Sequence, residues 1–526
     1  MRLPSAMEVL SALILAAALP ATAWAAPINA ASAAGAPSRS TCEHRSNDST
    51  AKLLACIRQP WLWNHLVDFQ NISDQNPDAR GHGNRNTGSN GYKASVDYVA
   101  NLMRQAGYVV TLQPYHFQAT ALNGTPQFQS VGHRYAWNRD WFVAHLSAGG
   151  TLAAPLQVLA GAGSGCNPEE FSRFTAGNIA LLQRGNCRYD VQVGNAAAAG
   201  ASAVILYNQP DHSFVSDFLR TIGSPGPEDG SAFEARLTHA APIPVIGVVS
   251  NAVGSGLRQQ ADQGRAPMVQ LDIPTTTVAG TDYNLIAESP YGNSDQTVVV
   301  DAHLDAIYGA GILDNASGSA TILEVALKMS HTPTRNRLRY IWFGGEELGL
   351  LGSSYYTKHL TAAEKKKLVF DVDVDVTATP NYDYLVADPS HAPNVKRFTP
   401  SVVPNSQIGN QYFADYFASV NVLAQNAWFG NEGTDSNSFA LIGIPDTGIL
   451  TMQDCCKQHW EVKIWGGFTG NYEGKVPGSN GGCVDNPNRW CDNLGNNDPA
   501  VMFIASKATA YTIFQLANHS FTTGNP

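Results

Sequence analysis

Three polar groups stand where apolar, strand-like sequence stops. They are His303-Leu-Asp305 after Val298-Val-Val-Asp-Ala, Asp314-Asn315 after a glycine-rich turn, and Glu346-Glu347 after the run from Arg337 to Gly344. A fourth candidate is the acidic strand Asp371-Val-Asp-Val-Asp375. An imidazole with several carboxylates is the borderline, deprotonated donor set that one zinc ion or a pair of them takes, provided the groups converge on a cleft. Each taken alone is a weak signal, because a lone histidine or strand-end aspartate is commonly a solvated or capping residue. Adjacent side chains on a regular strand face opposite ways, so Glu346 and Glu347 can serve one cleft only if the chain bends. The Gly344-Gly345 pair permits that bend.

The elements that must position these groups read as an α/β chain. Val298 to His303 is a buried-type strand, Ser319 to Ser330 an apolar-faced helix, and Arg337 to Gly344 a further strand. Strands alternating with helices predict a mixed, largely parallel sheet with helices on both faces, whose ligands gather at the carboxyl ends of the strands. Upstream, Val96, Val99, Leu102 and Met103 recur at helical spacing before Gly107, and the alternating stretch Tyr108 to Phe117 follows as a strand. Between Phe142 and Ile273 the texture changes to short apolar runs broken by Gly and Pro.

At 526 residues, two or three domains are expected. The balance of 33 Lys+Arg against 43 Asp+Glu gives a net charge of -10, which argues against nucleic acid as a partner. Arg2, the apolar run Val9 to Leu19 and Ala23-Trp-Ala25 have the layout of a secretory signal with cleavage after Ala25. An N-terminal anchor is the alternative. No later stretch offers 18 uninterrupted apolar residues, so no stable membrane span is expected and the mature chain is expected to be secreted or periplasmic. Export makes the eight cysteines disulfide candidates. Local pairing gives Cys42 with Cys56, Cys166 with Cys187, and Cys483 with Cys491. Cross-pairing among Cys455, Cys456, Cys483 and Cys491 stays open, as does a zinc-thiolate site there.

Two resemblances sharpen these expectations. Gly177-Asn-Ile-Ala-Leu-Leu-Gln-Arg-Gly-Asn-Cys187, the helix end Ala196 to Gly200 and the strand Ala203 to Asn208 resemble a protease-associated (PA) domain. His303-Leu-Asp305, Gly309 to Gly318 and Trp342 to Ser353 resemble the M28 zinc aminopeptidases in the family's order, with Gly91 to Phe117 and Thr361 to Asp388 adding to the match. The fold implied is zinc aminopeptidase/phosphorylase-hydrolase-like, with a β-rich PA insert. The division implied is signal peptide 1–25, linker or pro-segment 26–41, N-terminal part of the peptidase 42–125, PA insert 126–274 and catalytic part 275–526.

Carried over by position, the M28 resemblance implies His303 and Asp375 as ligands of one zinc, Asp314 as the carboxylate bridging two, and Glu347 as a ligand of the other. It also implies Asp305 as the carboxylate fixing the ring of His303, Glu346 as general base, and a cis peptide after Asp314. The register through Asn381, Tyr384 and Asp388 favours Asp375 over Asp373 or Asp371. The chain departs from the family near its C-terminus, where the last histidine ligand aligns with Asn488, and an amide is a poor zinc ligand. Asp485, or Asp492 or His459, is the expected replacement; binding of a single zinc is the alternative. The implied activity is removal of N-terminal residues from peptides and proteins. An inactive binding protein and a single-zinc glutaminyl cyclase-like enzyme are the rivals.

Overall fold

Val298, Val299 and Val300 have no exposed surface, which a strand achieves only when both faces of its sheet are covered. The computed structural model describes residues 37–521 apart from 79, 80, 82, 138, 145, 160–162, 186, 211–231, 233, 234, 236, 238, 239, 308, 393, 394, 429–433, 452–456 and 470–491. The strand carrying these valines, Asn293–His303, lies inside an eight-stranded sheet. In spatial order the strands are Val109–Leu122, Thr275–Glu288, Asn336–Phe343, Asn293–His303, Leu368–Val374, Asp446–Leu450, Leu385–Ala387 and Gln425–Ala427. The four from Asn336–Phe343 to Asp446–Leu450 run parallel, flanked by antiparallel pairings, so the sheet is mixed as the alternation of elements predicts.

Side-chain alternation sorts the strands onto two cores. Val298, Val300, Ala302, Leu338, Tyr340 and Trp342 join one, against the helices Gln59–Gln75, Asn90–Gln105, Ser317–Met329 and Pro499–Asn518. Val299, Ile341 and Phe343 join the other, beneath Leu351–His359 and Ser436–Leu441. Every residue of Ser317–Met329 is buried. Pro499–Asn518 is, among the described residues, the one helix long and apolar enough to cross a membrane, but 67% of its apolar window is buried, as in a core helix.

A second sheet of seven strands, between Gln127 and Ile273, has its own cores on both faces. The chain leaves the first sheet along Val109–Leu122 and re-enters along Thr275–Glu288, and these two strands pair over their full length, from Val109 opposite Glu288 to Leu122 opposite Thr275.

The N-terminal helices are pinned to the buried one. Lys328 Nζ, with no exposed surface, lies 2.7 Å from Glu43 and 3.3 Å from Glu324, and His65 Nε2 lies 3.2 Å from the other oxygen of Glu324. The helix Arg39–His44 begins within the stretch expected to be a linker, capped by the Ser38 hydroxyl. Disulfides join Cys42 to Cys56 and Cys166 to Cys187; Cys455, Cys456, Cys483 and Cys491 lie outside the described residues. The first bond spans a sequence separation of 14. Closing a loop of that size restricts the unfolded chain by about 3 kcal/mol. Urea unfolding of Cys42→Ser/Cys56→Ser is expected to give an unfolding free energy lower by about that amount.

Candidate active site

His303 is the last residue of its strand and 1% exposed. Its Nδ1 lies 3.2 Å from the Asp305 carbonyl oxygen and 3.6 Å from Asp305 Oδ1. A proton held on that side turns Nε2 toward the cleft as a donor atom. Nε2 lies 3.0 Å from Asp314 Oδ1, 3.2 Å from Asp375 Oδ1 and 3.9 Å from Glu346 Oε2.

Asp314 reaches this place through a constrained turn, Ile312–Ala316, whose Asp314–Asn315 peptide is cis. The Asn315 amide donates to the Val374 carbonyl at 2.9 Å and accepts from the N–H groups of Gly318 and Val376 at 2.8 and 3.0 Å. It thereby ties the Asp314 turn to the chain on either side of Asp375. Asp492 accepts from the backbone N–H groups of Leu313 and Asp314, the latter at 3.0 Å, one with each carboxylate oxygen.

The bend required at the paired glutamates is present. Gly345 has φ +69, a conformation that favours glycine, and its carbonyl accepts from Leu348 and Leu351 as the chain turns. A Cβ on Gly344 would stand 2.1 Å from the Tyr92 hydroxyl and 2.5 Å from that of Tyr115, so no larger residue fits there. Glu346 and Glu347 are both buried beside the cleft.

One donor atom each from His303, Asp314 and Asp375 lies within 4.8 Å of the others. An imidazole nitrogen with two carboxylates, one of them, Asp314, with its side chain 18% exposed, is the donor chemistry of a catalytic zinc site, so the residues fit such an ion. Glu347 lies outside that group of three. Asp371 and Asp373 sit deeper, within the strand Leu368–Val374, where Asp373 accepts from Ser436 N–H at 2.9 Å; Asp375 lies just past its end.

The site is crowded with negative charge. Burial, reinforced by Glu347, Asp435 and Asp375, pushes the Glu346 carboxyl well above its ordinary range, against the opposing pull of His303. Burial would lower His303, but Glu346, Asp375, Asp305 and Asp314 raise it well above an ordinary imidazole. Behind them burial and mutual repulsion raise Asp301, Asp371, Asp435 and Asp446, and Asp373 is pushed up to about 7.

Asp485 and Asn488 lie outside the described residues. Of the alternatives to them, Asp492 directs its carboxylate at backbone N–H groups, and His459 is exposed at the start of the helix His459–Trp465. Three further residues carry no signal in the sequence. Arg85, Asn86 and Thr87 lie in a glycine-rich polar loop, and all three bond to the turns that carry the site. The Arg85 guanidinium is fully buried; burial pulls its pKa down to about 10 against the opposing effects of Asp492 and Asp305, so it stays charged at neutral pH.

Residues 284–466 match Peptidase family M28, and residues 150–257 match the PA domain. An aminopeptidase of Pseudomonas aeruginosa is 31% identical over 498 residues, covering 91% of this chain and 84% of its own. Among solved structures, an aminopeptidase from Aneurinibacillus sp. strain AM-1 superposes with a TM-score of 0.64 at 19% identity, covering 90% of this chain and 97% of its own. A zinc aminopeptidase from Bacillus subtilis gives 0.58 at 20%, covering 88% and 96%. The two structures share the fold, and the extent of identity to the Pseudomonas protein, together with the family match across the site, shows that the chain belongs to peptidase family M28.

Proposed function

We propose that the chain is an exported, zinc-dependent aminopeptidase that removes residues from the free N-termini of peptides and proteins. The observation that carries this reading is the convergence of His303, Asp314 and Asp375, with Glu346 Oε2 3.9 Å from His303 Nε2. Export is supported by the signal-like residues 1–25 and by the two disulfides, which persist in an oxidising compartment.

His303, Asp314 and Asp375 would hold a zinc ion in this reading, and Glu347 and Asp485 would be donors for a second. Bound there, zinc supplies Lewis acidity, making water acidic near neutral pH and polarising a scissile carbonyl. The chain's own residues do the rest. Asp305 keeps the His303 ring turned so that Nε2 faces the cleft. The surplus of carboxylates attracts the cationic α-amino end of a peptide and disfavours chains that lack one. Glu346 takes the proton of the attacking water on its carboxylate and gives it to the leaving amine. Burial among carboxylates raises its proton affinity, and positive charge brought by substrate and metal lowers it, which suits a group that must both accept and release a proton.

Removing the base without removing the donors separates these roles. Glu346→Gln is expected to lower kcat by about 10²- to 10⁴-fold with zinc per chain unchanged, measured by release of p-nitroaniline from aminoacyl substrates alongside elemental analysis. Turnover that persists would take Glu346 out of the mechanism. In the same assays Asp314→Asn is expected to lose zinc and turnover together, whereas Asp485→Ala is expected to lower zinc from two per chain to one. An Asp485→Ala protein that keeps the wild-type content would remove Asp485 from the donor set.

A further inference from the structure

Asp305 and the turn that presents Glu346 are joined by a residue from far upstream. Thr87 Oγ1 donates to Asp305 Oδ2 at 2.9 Å and accepts from the Gly345 N–H at 3.0 Å. Gly345 N–H can only donate and the Asp305 carboxylate accepts, so the hydroxyl bridges the two, accepting from one and donating to the other. The other oxygen of Asp305 accepts from Glu346 N–H at 3.3 Å and lies 3.6 Å from His303 Nδ1. One hydroxyl therefore completes a loop of contacts running from His303 through Asp305 to Gly345 and Glu346, all buried.

The strand of chain bearing Thr87 is itself held against the site. Arg85 donates to the carbonyls of Leu304, Ala310 and Gly311 at 2.6, 2.8 and 2.9 Å. Asn86 donates to Ile307 at 3.0 Å, and Gly88 N–H to Asp282 at 2.7 Å. Thr87 is thus flanked on both sides by residues bonded to other parts of the chain.

We propose that Thr87 is a positioning residue: through Asp305 and Gly345 N–H it fixes the His303 ring and the Glu346 turn relative to each other. The proposal rests on the aminopeptidase reading for its kinetic consequence and on the metal site alone for its other one. Thr87→Val keeps the shape and removes the hydroxyl; Thr87→Ser keeps the hydroxyl and removes the methyl. The experiment compares both with wild type in kcat, KM, zinc per chain and the rate of zinc loss to excess chelator.

Thr87→Val is expected to lower kcat about 10- to 100-fold with KM within about twofold, and to lose zinc about tenfold faster from an unchanged starting content. Thr87→Ser is expected to restore both. A kcat or zinc-loss rate in Thr87→Val within about twofold of wild type overturns the proposal. So does Thr87→Ser behaving like Thr87→Val, which would assign the effect to packing of the methyl group. Wild-type protein that binds zinc without turnover would overturn the aminopeptidase reading alone, the chelator arm then deciding for Thr87; wild-type protein that binds no zinc overturns both.

Discussion

Carboxylates buried side by side cannot all remain ionised unless positive charge is brought among them. Around the cleft, His303 faces Asp305, Asp314, Glu346 and Asp375, with Glu347 adjoining. Behind them lie Asp301, Asp371, Asp373, Asp435 and Asp446, all at most 1% exposed. Glu346, Asp375, Asp305 and Asp314 raise the proton affinity of the imidazole well above its ordinary value. A divalent ion would resolve the same imbalance more fully, and the site's fit to zinc lies in that demand for positive charge.

The rest of the fold answers the problem of holding like charges together. None of the converging groups is placed by its own strand alone. Asn315 links the Asp314 turn to the chain around Asp375, Asp492 grips that turn from the C-terminal side, and Arg85 ties Leu304 to Ala310 and Gly311 from the N-terminal side. Most of these bonds end on backbone carbonyls or N–H groups, so they fix the path of the turns that carry His303, Asp314 and Asp375. Beneath them, the fully buried helix Ser317–Met329 gives the Asp314 turn a rigid continuation, anchored by the Lys328 and Glu324 ion pairs.

What could be read from the chain beforehand divides along a physical line. Strands and helices of the catalytic sheet were legible because apolar periodicity is local: Val298 to Val300, Ser319 to Ser330 and Arg337 to Gly344 each announce themselves within a dozen residues. His303, Asp314, Asp375 and the glutamates were legible because they stand at strand ends in a recognisable order, and the glycine pair signalled the bend at Glu346. Asp375 could be separated from Asp373 and Asp371 only by register, since residue type and spacing treat the three alike. Arg85 and Thr87 were illegible because the partners that tie them to the site lie more than 200 positions away. Nothing in Gly83-Asn-Arg-Asn-Thr-Gly88 distinguishes a buried clamp from an exposed turn. Asp492 was weighed as a ligand because carboxylates ligate; its service to two backbone N–H groups depends on where the Asp314 turn passes.

The pairing of Leu122 with Thr275 sets the points of exit and return side by side on neighbouring strands. A module whose two ends are adjacent can be carried, exchanged or lost without altering the register of the sheet that bears it. Closing the gap with a short turn in place of residues 123–274 would leave an ordinary hairpin, and the cleft would keep its whole set of donors. The second sheet is thus an attachment, and His303, Asp314 and Asp375 all lie outside it.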